Sequence, residues 1–406
     1  MIQSLISGDY PRSRVLTALL IAIFIGLALG PFLFGGTVAF RTMGLIVVFI
    51  LVVAAYDLML GYTHVVSFAH LMFFGFGAYG VTIALDSMGS NFIAVGVGTG
   101  AGLLLSVITA LLLGLLSLRV KAIFFALVTL AIAFAFMVLV NQMYTLTGGE
   151  DGMRVAVPRE LGPAFRLDEP WTGFSILGWL WGVITNPLNI AEVTREAFFD
   201  VRANGRLLMY YVAFFISLGL FLFMLRLVNS PFGRVLLAIR ENEFRAEALG
   251  YRTVYYRTAV VVTASAMAAI GGVLFALVTR YITPESTLDF ELAVFVLLMC
   301  VIGGMGTLYG SVVGATIFLV AQNYLQDLLR VMSGWMEVIP LLNHAAPLFG
   351  ADRWLLWFGV LFVLSVYFFP TGIVGQLRQW SAARELRRAG GDGSDEMEAQ
   401  TAKSNA

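Results

Sequence analysis

Residues 206–250 read RLLMYYVAFFISLGLFLFMLRLVNSPFGRVLLAIRENEFRAEALG. The first half, 206–228, holds no acidic residue and is long enough to cross about 30 Å of hydrocarbon, which takes roughly 20 residues of helix. At Ser230 the character changes. Ser230 before Pro231 reads as a helix start, with proline at an early position where its missing N–H costs nothing. A short helix with charges on one face follows. Glu241 and Arg245 stand four apart in the favourable order, and Gly250 suits a left-handed cap. The reading is a membrane-crossing helix that delivers the chain into a structured, amphipathic elbow of about two to four turns.

Outward from this stretch the pattern repeats. Further apolar runs lie at 15–34, 44–60, 66–86, 92–117, 121–143, 257–281, 289–305, 308–326 and 354–370, making about ten spans; glycines and polar residues interrupt 66–86, 289–305 and 308–326. The first run is longer than the roughly 7–15 residues of a signal-peptide core and is read as a retained span. Composition agrees: of 406 residues, 59% are hydrophobic and 12% charged, which argues against a soluble domain, where about 25% are charged. Arg12 and Arg14, Arg119 and Lys121, the basic 229–257 segment, and Arg378, Arg384, Arg387 and Arg388 fall on one face of a ten-span chain. The positive-inside rule makes that face, with both termini, cytoplasmic. The opposite face carries the long stretch 144–205. Within it, Trp171 to Ile190 is apolar enough to suggest a crossing, but its tryptophans favour an interfacial or re-entrant helix. Residues 191–204 read as a short surface helix. The fold class is therefore an all-α polytopic membrane protein of about ten transmembrane helices, some broken or re-entrant. A membrane domain over 1–380 precedes a disordered cytoplasmic tail over 381–406, which is too poor in apolar residues to fold.

Three other segments carry polar or glycine-rich interruptions. Between Tyr56 and Tyr79, the side chains of Asp57, Tyr62, Thr63, His64, Ser67 and His70 interrupt an apolar region. Ionisable groups cost about 2.5–3.5 kcal/mol in hydrocarbon and face a cavity or a partner, which marks Asp57, Tyr62, Thr63, Ser67 and His70 as translocation-pathway candidates. His64 and His70 are six apart and share no helix face, so they read as hydrogen-bonding or capping groups and not as a metal site. Leu146 to Met153 is a glycine-rich acidic turn whose Glu150 and Asp151 suit either an external protein or a simple turn. Val301 to Gly314 is too glycine-rich for one straight helix and lacks the strand context of a dinucleotide fingerprint. Paired glycine-rich interruptions in the two halves, at 61–80 and 303–314, point to a two-halved transporter with broken helices or to close helix packing.

Other chemistries find no support. Cys300 is the single cysteine, so an intrachain disulfide framework is excluded, and 25 basic residues balance 25 acidic ones, giving no basic surface for nucleic acid. The two lysines, Lys121 and Lys403, lie in no phosphate-binding loop, so any ATP hydrolysis belongs to a separate chain. No cofactor is expected and no catalytic motif is present. A folded, charged elbow between membrane helices is what a permease needs in order to feel a separate motor protein; a solvated helix without a partner fits the same residues.

Seven stretches together resemble the inner-membrane permeases of branched-chain amino acid ABC importers of the LivM type. They are Leu60-Gly-Tyr-Thr63; Ser67 and His70 with Phe73 to Tyr79; Leu146 to Gly152; Ser230 to Glu243; Ala246 to Gly250; Ile302 to Gly310; and Phe369 to Gly375. The wider group takes urea and short amides and, more remotely, sugars. The resemblance, in order from about residue 44 to 376, implies one of two membrane subunits of a bacterial inner-membrane importer. Its implied partners are a sister permease, two cytoplasmic ATPase subunits, a periplasmic substrate-binding protein and membrane lipid. It also implies that Arg240, Glu241, Asn242, Arg245 and Gly250 form the segment that couples to the ATPase. The chain departs from the family at His64-Val65, where Gly-Gln is common, at Ala69, where glycine precedes the histidine, and in a longer 164–204 loop. These departures bear on the substrate, for which urea or short amides are an alternative to branched-chain amino acids. An ion-coupled transporter using Asp57 with His64 is the alternative of a different class.

Overall fold

A computed structural model describes residues 14–34, 37–116, 122–165, 171–185, 190–201, 204–338 and 350–381. Five long helices open the chain: α1 (Arg14–Leu33), α2 (Thr37–Thr63), α3 (His70–Met88), α4 (Phe92–Leu116) and α5 (Ala122–Gln142). A single-turn helix α6 (Tyr144–Thr147), strand β1 (Met153–Arg154), strand β2 (Trp171–Phe174), helices α7 (Ile176–Thr185) and α8 (Ile190–Glu196) and strand β3 (Phe198–Val201) make up the long loop. The second half holds α9 (Gly205–Asn229), the elbow helices α10 (Pro231–Glu241) and α11 (Glu243–Ala248), α12 (Thr253–Thr279) and strand β4 (Tyr281–Ile282). It ends with α13 (Pro284–Leu288), α14 (Phe290–Gly303), α15 (Leu308–Val338) and α16 (Trp354–Phe368).

Among the described residues, nine helical segments are long and apolar enough to cross a membrane, α13 and α14 counting together. They coincide with nine of the expected spans. The tenth, α16, has 15 residues, about 22 Å at the helical rise, fewer than the roughly 20 of a typical crossing, yet the chain beyond it returns to the elbow end, where Gly372 meets Gly304. The expected tail beyond Ser381 and the basic link at 118–121 lie outside the described residues.

The core is built around α2, which is apolar on every face but for Asp57 and is buried at every position from Ile46 to Thr63. A helix hydrophobic all round belongs inside a bundle. Helices α3 and α12 cross tightly, because a β-carbon on Gly77 would overlap the Ala269 carbonyl and one on Gly272 would overlap the Phe74 carbonyl. Small residues let membrane helices approach this closely, so contact replaces the hydrophobic drive that lipid removes. Helix α4 packs along α3 and α12 and turns its other face outward, with Ile93, Leu104 and Leu112 exposed. Leucines presented outward all along a helix are stable when lipid is the solvent.

The long loop corrects two expectations. Trp171 falls on a strand, not a helix: β2 pairs antiparallel with β3, Trp171 opposite Val201 and Phe174 opposite Phe198. The helical part, α7, has ten residues, about 15 Å, so this stretch does not cross. The surface helix expected over 191–204 is α8 alone and gives way to β3. Trp179 of α7 donates its indole N–H to Thr194 of α8 at 3.0 Å, fastening the two helices together. The turn at Leu146 to Met153 is likewise part of a ribbon. β1 pairs with β4 beyond the end of α12, and the Tyr281 hydroxyl donates to the Asp151 carbonyl. Arg280 reaches the Leu161 carbonyl at 2.9 Å. The loop is thereby stitched to one end of the helix bundle, opposite the elbow.

Candidate functional site

The elbow consists of two helices. Pro231 stands at the first position of α10, as its sequence implies, but the Ser230 hydroxyl donates back to the Leu227 carbonyl at 2.6 Å and does not cap α10. The corner is tight: a β-carbon on Gly233 would overlap the Val228 carbonyl, so only glycine lets α10 fold back on α9. Helix α10 ends at Asn242, which has extended backbone and caps α11 by accepting the Arg245 N–H at 2.9 Å. The break separates Glu241 from Arg245. The favourable pair expected four apart on a single helix therefore does not exist, because an asparagine that can cap ends one helix and begins another. Gly250, with φ of +89°, closes α11 as expected.

The elbow's apolar face, Leu236, Ile239 and Ala246, is buried. Two polar ties fix it to the base of α12: Arg257 pairs with Glu243 at 2.6 Å, and the Thr253 hydroxyl donates to Glu247 at 2.8 Å. Its other face is open. Glu241, Asn242, Arg245 and Gly250 are exposed. Beside them Phe244 is 82% exposed and Leu249 71% exposed. Two large apolar side chains among charges on a polar turn were not singled out in the sequence.

Arg240 points the other way, into the protein. Its guanidinium donates to the Gly61 carbonyl at 2.6 Å, near the end of α2. Gly61 in turn sits against Gly306, in the break between α14 and α15, where a β-carbon on Gly61 would overlap the Gly306 amide and the Asp57 carboxylate. Gly306 has φ of +78° and Gly304 φ of +116°, backbone that glycine adopts without strain. Asp57, 1% exposed, accepts the Gly306 N–H at 2.7 Å and the Cys300 thiol at 3.3 Å. On the far side, a β-carbon on Gly372 would overlap Gly304. Four of the quoted stretches, around residues 60, 240, 304 and 372, thus meet at one end of the bundle. The two glycine-rich interruptions touch each other.

The remaining pathway candidates lie inside packed protein. Tyr62 and Ser67 are each 1% exposed. The Thr63 hydroxyl is bonded to the Met59 carbonyl at 2.6 Å. His70 is buried with Nε2 3.1 Å from the Val52 carbonyl and its ring edge-on to Tyr56. His64 lies in the exposed turn between α2 and α3 with φ of +54°, and partial burial and then the Arg240 charge hold its imidazole below the usual range. Asp57 and His64 differ in kind, the first a buried strut and the second a surface group. Among the described residues, no group of three or more His, Cys, Asp or Glu side chains could hold a metal ion.

Comparison with known proteins gives the family. The chain is 25% identical over 314 residues to the high-affinity branched-chain amino acid transport system permease protein LivM of Escherichia coli K12, covering 76% of this chain and 68% of that protein. It is 32% identical over 166 residues to the "Probable branched-chain amino acid transport permease protein LivM" of Methanocaldococcus jannaschii, covering 40% of this chain and 45% of that protein. It is 29% identical over 174 residues to the autoinducer 2 import system permease protein LsrC of an Escherichia coli strain, covering 42% of this chain and 46% of that protein. The chain therefore spans from under half to about two thirds of the relatives it matches. No solved structure matches. The model of the branched-chain amino acid transport system permease component family matches residues 38–363, from α2 into α16, and the chain belongs to that family of ABC transporter permeases.

Proposed function

We propose that this chain is one of two membrane subunits of an ATP-driven importer for branched-chain or related amino acids. In this reading a sister permease completes the pathway, two ATPase subunits bind the elbow, and a substrate-binding protein delivers solute at the long-loop end. The elbow end and both termini face the cytoplasm, as the basic residues flanking α1, α5 and α16 require. One observation carries the coupling assignment: the elbow exposes Phe244 and Leu249 to a partner on one face while Arg240 on the other grips the α2 end and the Gly306 break. Apolar side chains amid charge, on a rigid turn, suit a groove in a second protein. Nucleotide-driven closure of the ATPases would move α10, and the Arg240–Gly61 contact would pass that movement to α2 and α14. Nucleotide and loaded binding protein must each prefer one arrangement for such a movement to shift anything.

Purification of the full chain in mild detergent with crosslinking, then mass spectrometry, tests this reading. Recovery of ATPase subunits and a second permease is the expected result. Recovery of this chain alone would reject the importer and bring forward ion-coupled transport. A second reading of the substrate has an observation behind it, the match to LsrC permeases named for autoinducer 2 import together with the His64-Val65 and Ala69 departures. Ligand screening on the co-purified binding protein separates the two.

A further inference from the structure

At the long-loop end, α2, α9 and the end of α12 enclose a cavity of about 360 Å³, within the range of small-ligand sites. Arg41 enters it from α2, Arg206 from α9 and Arg280 from the residue that ends α12. Among the described residues lining it there is no carboxylate. Arg280 is half-buried in a left-handed backbone conformation, fixed by its bond to Leu161, with its Nε buried and unbonded. Burial and then the charge of Arg206 make its guanidinium less basic. Three guanidiniums lining one cavity repel one another, and on the proposed topology they gather on the face that the positive-inside rule leaves poor in arginine. An anion at the centre relieves both problems.

Directly along the same two helices runs a second space. Between α1, α2, α9 and α15 lies an apolar groove of about 160 Å³, lined by Leu20, Phe24, Ile50, Leu218 and Phe221 among others. Its nearest residues, Val47 on α2 and Phe214 on α9, lie six and eight positions from Arg41 and Arg206, about 9 and 12 Å deeper. Tyr210 stands between, lining the arginine cavity while its hydroxyl holds the α1 backbone at Leu27. A cationic pocket above an apolar groove matches a molecule with an anionic head and a hydrocarbon tail, and a headgroup layer is about 5–8 Å thick, so both ends fit their zones.

We propose that the Arg41–Arg206–Arg280 cavity and the groove beneath it form a binding site for an anionic phospholipid, with the phosphate between the guanidiniums and an acyl chain against α1. The proposal does not depend on the substrate or on the ATPase partners; only the leaflet, the outer one, follows from the orientation proposed above.

The test uses the full-length chain, stripped of lipid in detergent and titrated with phosphatidylglycerol or phosphatidylcholine, with bound lipid counted by native mass spectrometry. Phosphatidylglycerol is expected to be retained in preference. The double variant Arg41→Gln/Arg206→Gln changes two exposed side chains and spares the Arg280–Leu161 bond. It should weaken that retention about 25-fold, at roughly fivefold per arginine near an anionic headgroup. Leu20→Trp, which fills the groove, should weaken it without touching the charges. Equal retention of phosphatidylcholine, or undiminished retention by the double variant at an unchanged melting temperature, overturns the proposal. So does displacement of the lipid by equimolar glycerol 3-phosphate or free leucine, which would make the cavity a site for a soluble phosphate or carboxylate group.

Discussion

Replacing Arg240 by methionine keeps the length of the side chain and removes its charge and donors, which isolates the contact with Gly61. That contact is a 2.6 Å bond from a charged donor to a carbonyl near the end of α2, and the arginine is half-buried. A bond from a charged group contributes about 1.5–3 kcal/mol, and its loss leaves a partly buried carbonyl without this donor. If the bond persists in every conformation of the working cycle, the whole of that loss appears as lower stability. If it forms in only one of two conformations, the loss shifts their ratio by roughly 10- to 150-fold, since each 1.4 kcal/mol is tenfold. Both readouts are accessible in the reconstituted complex, as the melting temperature and as ATP hydrolysis stimulated by loaded binding protein. Arg245→Met is the control, because Arg245 is exposed on the partner-facing side. It should alter ATPase affinity and leave melting unchanged. Arg240→Met with wild-type melting and wild-type stimulation would refute the argument that the elbow is tied to the bundle through this residue.

Phe244→Ser and Leu249→Ser remove exposed apolar surface, so each should cost at least 1 kcal/mol of ATPase binding, about 5-fold or more in affinity, without lowering the melting temperature; equal pull-down of ATPase would exclude them as anchors. Gly77→Leu or Gly272→Leu forces α3 and α12 apart at a backbone contact and should destabilise the bundle by at least about 1–3 kcal/mol, read as lost detergent-resistant yield; normal yield would contradict the packing described. His64 carries a prediction in pH. Its imidazole is held below its usual value of 6.5 by partial burial and by Arg240, so the unfolded chain binds the proton more readily and this group lowers stability only as pH falls below about 6.5. Arg240→Met should raise the His64 titration midpoint in a histidine-labelled NMR titration, and an unmoved midpoint would show that the two side chains do not interact.

The sequence made the membrane-crossing helices legible because each needs some 20 apolar residues, a length that here only Trp171 to Ile190 imitated. Ser230-Pro231 and Gly250 likewise marked the limits of the elbow through local backbone chemistry alone. Asn242 did not announce itself, since asparagine is tolerated on a helix surface and becomes a cap only when the chain must turn. That single residue splits the elbow into α10 and α11. The short ribbons were invisible for another reason: β1 and β4 have two residues each and pair across more than a hundred positions, so neither leaves a period to detect. Asp57 was singled out for the expense of a carboxylate in hydrocarbon. Its partners, the Gly306 amide and Cys300, are some 240 positions away and could be known only from the fold.

The glycines at the elbow end have a mechanical consequence. Gly61, Gly306, Gly304 and Gly372 bring three chain segments into backbone contact, with the Asp57 carboxylate and the Arg240 guanidinium at its edge. Such a junction transmits displacement well, because interiors packed at crystal density cannot absorb a shift by compression. Glycine also leaves such a junction free of side-chain clashes when its torsions change. The opposite end is built in the reverse manner, with β1 paired to β4, Tyr281 bonded to Asp151 and Arg280 bonded to Leu161. A hinge of glycines under a charged elbow and a stitched cap at the far end divide the bundle into a part that can be pushed and a part that holds its shape. A permease driven from one face needs that division, because a push dissipated at both ends would leave the pathway between them unchanged.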